Sequence, residues 1–218
     1  MAPRLLSSRW AKVLVFALSL VPLLVLGWRG LRQDLGANPV EFITRSTGDW
    51  TLRFLLLTLA ISPLRKQAGL AALIRFRRML GLFSFFYGSL HLLTYVWFDK
   101  FFDLGDILKD VATRRFITIG LFGFLAMLPL AVTSTSGWIR RLGGRRWKLL
   151  HRLVYACVAA GVVHYYWLVK SDVRFPLVYA SIAGVLLATR RYTESRGLVS
   201  GHGPVAPAVV SATTELIT

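Results

Sequence analysis

The stretch RRWKLLHRLVYACVAAGVVHYYW, residues 145–167, joins a basic cluster to an apolar, aromatic segment. The apolar part is long enough to cross most of a bilayer, yet the stretch also contains His151 and His164. A polar side chain at membrane depth is costly unless it has a partner. The stretch therefore predicts a membrane helix whose histidines find partners elsewhere in the chain.

The composition of the whole chain is typical of a membrane protein. Of its 218 residues, 55% are hydrophobic and 17% are charged, which is more apolar than soluble domains usually are. The formal net charge of +17 lies in short blocks between apolar runs, and this favours the positive-inside rule over nucleic-acid binding. The single cysteine, Cys157, lies inside an apolar run, so we expect it in the core rather than in a disulfide or a metal site.

Six apolar segments predict an all-α membrane protein, a transmembrane bundle of six helices. A spanning helix needs about 20 apolar residues, and the second and sixth segments are shorter, so five spans remain an alternative count. The segments, numbered one to six, are residues 13–28, 50–64, 79–98, 116–133, 149–169 and 175–189.

The charged residues predict the orientation of the bundle. The loops between segments two and three and between segments four and five are rich in Arg and Lys and contain no acidic residue, so both should face the cytoplasm. Six spans then place both termini in the cytoplasm. We expect one transmembrane domain, residues 1–192, and a disordered cytoplasmic tail, residues 193–218, which is rich in small residues and proline.

Three histidines, His91, His151 and His164, fall in apolar segments. One such histidine is most simply explained by a hydrogen bond to a neighbouring helix. A proton relay or transporter would more naturally include acidic residues in its spans, and here these all lie outside the span centres. Three histidines therefore favour ligation of a metal or of haem.

The depth of each histidine separates two layers. Counted from the cytoplasmic ends of segments three and five, His91 lies roughly 18 Å, His164 roughly 22 Å and His151 only about 3 Å into the membrane. Two level imidazoles can hold one haem iron from both sides, which predicts haem between helices 3 and 5 and electron transfer rather than oxygen activation. On an ideal helix, His151 and His164 would lie about 140° apart.

The second layer lies at the cytoplasmic end, around His151. No other histidine is level with it, and Arg77 and Arg78 lie nearby instead. These arginines could bind propionates or a flavin phosphate, because guanidinium groups pair with such anions. Positive-inside topology is the simpler explanation for most of the basic residues here.

Four long blocks of the sequence resemble the ferric-reductase-like transmembrane haem proteins, and among them the haem-binding membrane subunits of bacterial methionine sulfoxide reductase systems. The resemblance covers about residues 10–192. The blocks are LGANPVEFITRSTGDWTLRFLLLTLAISPLR (35–65), IRFRRMLGLFSFFYGSLHLLTYVWFD (74–99), TSTSGWIRRLG (133–143) and RRWKLLHRLVYACVAAGVVHYYWLVK (145–170).

The resemblance implies an electron-transfer subunit of the bacterial inner membrane, without catalytic residues of its own. It implies haem b, with His91, His151 and His164 as the family's histidines. It also implies quinol or a cytosolic flavin reductase as donor, and a periplasmic, molybdopterin-containing methionine sulfoxide reductase subunit as acceptor. The related NADPH oxidases have a fourth histidine where Arg77 and Arg78 stand here. We therefore expect one haem together with FMN, which is associated with this subfamily, and two haems as the alternative.

Two other functions remain open from the sequence. A ferric or cupric reductase of the same fold would reduce chelated metal directly. A haem-free transporter or membrane scaffold would use its histidines for packing or proton relay. Purified protein that is colourless would support the second of these.

Overall fold

A computed structural model describes residues 8–169 and 171–199, with side chains up to residue 192. Every regular element in those ranges is helical. A 3-10 turn, Ala71–Leu73, precedes α3, and a π-helical turn, Tyr95–Asp99, follows it. The α-helices are α1 (Arg9–Leu31), α2 (Pro39–Gln67), α3 (Ile74–Thr94), α4 (Leu104–Thr113), α5 (Arg115–Val132), α6 (Ser136–Leu150), α7 (Leu153–Leu168) and α8 (Arg174–Val199).

The all-α prediction is confirmed for the described residues, and α1, α2, α3, α5, α7 and α8 correspond to the six predicted segments. Among the residues that the structure describes, three stretches are long and apolar enough to cross a membrane: α1, α3 together with its flanking turns, and α5. Helix α7 is apolar but shorter. The count of six spans remains a prediction. Helices α4 and α6 were not predicted.

Helix α2 begins well before the predicted second segment, which started at residue 50. The Asn38 side chain accepts a hydrogen bond from the backbone N–H of Glu41, and Pro39 lies in the first turn, a position that suits proline. Glu41 and Asp49, which precede the predicted second segment, are therefore helical. The apolar run revealed only the buried part of this helix.

Two apolar clusters lie on opposite faces of α2, which is the central helix of the bundle. On one face, Leu52 and Leu59 pack with Met127 of α5 and Val158 of α7. On the other face, side chains of α2 and α3 pack together and α1 covers them: Phe54, Ile61, Phe76, Leu80, Phe83 and Tyr87. Cys157 is 2% exposed and belongs to the first cluster, which confirms its predicted place in the core.

Helix α1 is held to α3 at its internal proline, Pro22. The Tyr87 hydroxyl donates to the carbonyl of Ser19 at 2.8 Å and accepts from the N–H of Leu23 at 3.2 Å. These two backbone groups are four residues apart and would ordinarily pair with each other. The inserted hydroxyl satisfies both groups where the helix is disturbed.

The predicted fifth segment, residues 149–169, is wrong at its start. Helix α6 continues through Leu150, and His151 caps it by donating its N–H to the Trp147 carbonyl at 3.0 Å. Helix α7 begins only at Leu153. His151 therefore lies in the turn between two helices, and the 140° expected between His151 and His164 on one helix does not apply.

The C-terminal helix extends past the predicted domain boundary at residue 192. Helix α8 continues to Val199, so the backbone of residues 193–199 is helical. Residues 200–218 of the predicted tail lie outside the described residues. The disordered tail remains a prediction for them.

Candidate functional site

The His91 side chain, on α3, is held by a backbone carbonyl of α2. Its Nδ1 lies 2.8 Å from the Thr44 carbonyl oxygen. The ring also lies against Gly48, where an added Cβ would be 3.0 Å from Nδ1. Thr94 supports the same turn of α3, because its hydroxyl donates to the His91 carbonyl at 2.8 Å and meets the Thr44 hydroxyl at 3.2 Å.

His164, on α7, has the same surroundings on a different helix. Its Nδ1 lies 2.6 Å from the carbonyl oxygen of Phe116, in the first turn of α5. The ring lies against Gly120, where an added Cβ would be only 2.6 Å from Nδ1. Only glycine allows an imidazole this close to the helix backbone.

Both histidines thus have the same local backbone environment, a carbonyl followed four residues later by a glycine. The two residues are Thr44 and Gly48 for His91, and Phe116 and Gly120 for His164. A carbonyl only accepts hydrogen bonds, so Nδ1 carries the proton in each ring and Nε2 keeps a free lone pair. Among the residues whose side chains the structure describes, 8–169 and 171–192, none donates to either Nε2. Each imidazole is fixed in the tautomer that metal ligation requires.

The His91 ring on α3 and the His164 ring on α7 form an edge-on pair. Their centres are 5.9 Å apart, and their planes are nearly perpendicular at 83°. This is the pair that counting residues through the membrane placed at one level. Within the described ranges, no group of three or more His, Cys, Asp or Glu side chains comes together. The protein therefore offers two imidazole nitrogens, which suits a metal whose other ligands come from a macrocycle.

The structure does not bring His151 to this pair. It lies in the turn before α7, whereas His164 lies 11 residues beyond the start of that helix, roughly 17 Å along its axis. Its ring stacks on Trp147, with ring centres 3.8 Å apart, and its Nδ1 lies 3.2 Å from the Trp147 carbonyl oxygen. Arg77 is partly buried and lies close enough to His151 for the two side chains to interact electrostatically. Arg78 is exposed.

Sequence reasoning missed the two glycines and the two backbone carbonyls that accept hydrogen bonds from the histidines. A glycine inside an apolar helix signals close approach of another group, and Gly48 and Gly120 each carry that signal. The sequence cannot show which side chain fills the space, since Thr44 is 47 residues from His91 and Phe116 is 48 residues from His164.

A family model matches the central part of the chain, which holds most of this site. Residues 47–162 match the model described as the ferric reductase like transmembrane component. The matched range contains His91 and His151 and ends two residues before His164.

Curated relatives extend the similarity over most of the chain. A protein of Herminiimonas arsenicoxydans is 52% identical over 181 residues, which cover 82% of this chain and 83% of the relative. One of Rhodospirillum rubrum is 49% identical, covering 90% and 95%, and one of Azospira oryzae is 53% identical, covering 86% and 80%. All three are named protein-methionine-sulfoxide reductase heme-binding subunit MsrQ. The chain therefore belongs to the ferric reductase-like transmembrane family and, within it, to the MsrQ proteins.

Proposed function

We propose that this chain is the membrane electron-transfer subunit of a methionine sulfoxide reductase system and binds one haem b between His91 and His164. The observation that carries the proposal is the facing pair of imidazoles, each with Nδ1 on a backbone carbonyl and Nε2 free. The names of the relatives support the same cofactor and the same system.

The spacing of the two rings fits a haem iron. With a bond of about 2.0–2.1 Å from imidazole nitrogen to metal, the centres of two rings on opposite sides of one ion lie roughly 6.3 Å apart. The observed separation is 5.9 Å. An aromatic side chain lies beside the pair, because the ring centre of Phe116 is 6.1 Å from that of His164. Such side chains suit a porphyrin.

The residues of the chain orient the ligands and limit the chemistry. Bound haem would accept and release single electrons. The two carbonyls hold the rings in one tautomer and strengthen their nitrogens as ligands. With both His91 and His164 holding it, haem would exchange electrons and would not bind oxygen or substrate, so we infer that the chain serves as a relay rather than as the catalytic subunit.

The acceptor in this proposal is a periplasmic, molybdopterin-containing, MsrP-like reductase subunit. Oxidation of one quinol to quinone releases two electrons and two protons. Reduction of one methionine sulfoxide to the thioether and water consumes the same number. The relay therefore needs no further reductant when quinol is the donor, and a cytosolic flavin reductase is the alternative donor. The proposed setting is the bacterial inner membrane, with both termini in the cytoplasm.

The second layer of the proposal lies at the other end of α7. There, His151 and Arg77 come within electrostatic range of each other, and Arg78 lies one residue further along α3. Guanidinium groups pair well with phosphate, so these residues are the proposed FMN site. Two haems would instead require a second ligand beside His151.

The first experiment measures the visible spectrum and the haem and FMN content of purified wild-type protein and single variants. We expect His91→Ala and His164→Ala to lose most haem absorbance, because each removes one of two axial ligands. His151→Ala is the matched control, and it should keep the haem while losing FMN. Membrane insertion is checked in parallel by fractionation.

Other outcomes would select the rival functions. Normal haem content in both His91→Ala and His164→Ala would rule out the proposed ligands, and colourless wild-type protein from haem-supplied cells would favour a transporter or scaffold. Reduction of chelated iron or copper faster than reduction of the MsrP-like partner would indicate a ferric or cupric reductase.

A further inference from the structure

A groove of about 280 Å³ lies between α1 and α2. Helix α2 contributes Phe42, Ser46 and Trp50, which are four residues apart and so share one face. Helix α1 contributes an apolar face that includes Val25 and ends at Arg29. Val25 is 50% exposed, so the groove opens on the outer surface of the bundle, where a spanning helix meets lipid.

Two polar groups in this groove lack a partner within the part of the chain that the structure describes. The Ser46 hydroxyl and the Trp50 indole N–H make no hydrogen bond there. Neither atom is sealed inside the protein. Lipid tails offer no hydrogen bonds, so such groups are costly in a bilayer unless a ligand satisfies them.

Arg29 closes the outer end of the groove. Its Nε donates to the Asp34 backbone oxygen at 3.0 Å and to an Asp34 carboxylate oxygen at 3.2 Å. Its guanidinium carbon lies 4.5 Å from the centre of the Phe42 ring. The groove thus has an aromatic wall, an apolar wall and two hydrogen-bond donors. A flat ring that carries oxygens and an apolar tail matches these features.

The groove lies across α2 from His91. Thr44 and Gly48, which hold the His91 ring, are each two residues from Ser46. Two residues correspond to about 200° around a helix, so Ser46 points away from His91. The groove and the imidazole are therefore separated by one helix, about 10 Å wide.

We propose that the groove between α1 and α2 binds the ring of a membrane quinol, with its oxygens on the Ser46 hydroxyl and the Trp50 indole N–H. The isoprenoid tail then lies along the apolar face of α1 toward lipid. This inference rests on the proposed function in taking quinol as the donor, and it adds the place where the quinol binds.

Photolabelling tests the site directly. The full chain in lipid nanodiscs is labelled with an azido-ubiquinone, and the labelled peptides are mapped by mass spectrometry. The expected labels lie within residues 18–29 or 42–50. Val25→Trp fills the groove and should lower labelling about tenfold. Val13→Trp is the matched control, since Val13 is also an exposed valine of α1 (56%) but lies outside the groove, and it should label like the wild type.

Competition and kinetics separate the outcomes. Decylubiquinol should prevent labelling, and an equal excess of phosphatidylglycerol should not. The reverse result would assign the groove to lipid and overturn the proposal, as would equal labelling of the two tryptophan variants.

Haem reduction by decylubiquinol is then timed, with dithionite reduction as the reference. If decylubiquinol reduces the haem of Val25→Trp at the wild-type rate, the groove is not the quinol site, although quinol is still the donor. Groove labelling without any haem reduction supports the groove and refutes quinol as the donor.

Discussion

At the scale of single residues, two glycines determine how the central histidines sit. Gly48 and Gly120 allow each imidazole to reach a helix carbonyl that a larger residue would shield. The resulting hydrogen bond fixes both the ring orientation and the tautomer. The ligands are therefore preorganised by backbone atoms, without a polar side chain that would need burial of its own.

We expect Gly120→Ala to disturb the site more than Gly48→Ala. The added Cβ would lie 2.6 Å from His164 Nδ1 in the first variant and 3.0 Å from His91 Nδ1 in the second. Overpacking of this kind costs about 1–3 kcal/mol, which corresponds to a loss of roughly 5–150-fold in haem affinity. Haem titration of the purified apoprotein variants measures this loss of affinity.

Gly27→Ala is the matched control for these variants. Gly27 lies in α1, and a Cβ there would meet nothing within 4 Å. It should bind haem like the wild type. Equal haem affinity in Gly120→Ala and Gly27→Ala would show that the close approach to His164 is unimportant.

The sequence predicted the histidines better than their surroundings. Depth counting identified His91 and His164 as a level pair because both lie far along helices that enter from the same side. It could not predict the carbonyls that hold the rings, since Thr44 and Phe116 lie on other helices, 47 and 48 residues from their histidines. The start of segment five was misplaced because apolar residues Leu149 and Leu150 continue the hydrophobic run across a helix break.

At the scale of elements, the two helices that the sequence did not predict are short or basic. Helix α4 has ten residues, and α6 carries the basic cluster of the opening stretch, with a kink at Gly143, whose φ is 74°. Neither contains an apolar run of spanning length, and such runs were the main sequence signal. Hydropathy therefore finds membrane helices and overlooks those that connect them.

The connection from α3 to α4 buries the ion pair of Lys100 with Asp110 and exposes several aromatic rings. Asp110 is only 5% exposed and accepts hydrogen bonds from Lys100 at 2.8 Å and from the Tyr95 hydroxyl at 3.0 Å, with Arg114 at 3.1 Å. Phe101 is 79% exposed. The ion pairs hold a turn in which two consecutive phenylalanines, Phe101 and Phe102, adopt positive φ angles.

We expect Asp110→Asn to destabilise this connection in a pH-dependent way. The hydrogen bond from Lys100 is the main cause that lowers the pKa of Asp110 below its ordinary value of 3.8. The stabilisation is therefore complete above pH 3.8 and is lost as the pH falls through the lowered pKa. Loss of these hydrogen bonds should cost about 1–3 kcal/mol at neutral pH.

Thermal unfolding in detergent measures this difference across pH. Wild type should exceed Asp110→Asn in midpoint temperature at pH 7, and the gap should narrow below pH 3.8. Asp106→Asn is the comparison, because Asp106 is 57% exposed and its pair with Lys100 is peripheral. A gap that is constant with pH would mean that Asp110 acts through packing and not through its charge.

At the scale of the whole molecule, the relay requires a fixed direction across the membrane. The basic helix α6 and the basic turn after α2 lie at the end that holds His151, and the His91–His164 pair lies toward the opposite end. A proposed donor site in the groove between α1 and α2 lies one helix width from that pair. Electrons can reach a periplasmic reductase only if the end of the bundle nearer this pair faces the periplasm. The connection between α3 and α4 lies at that end, so its side of the membrane tests the proposal.

Substituted-cysteine labelling tests that orientation, and the chain suits it because its single cysteine, Cys157, is 2% exposed. Lys109→Cys, in exposed α4, should react with a membrane-impermeant maleimide in intact cells, since we predict that α4 faces the periplasm. Arg140→Cys, in exposed α6, should react only after the cells are lysed. The unsubstituted chain should remain unlabelled in both conditions and serves as the blank. Labelling of Arg140→Cys but not Lys109→Cys in intact cells would invert the topology, and a periplasmic reductase could then no longer receive electrons from the end nearer His91 and His164.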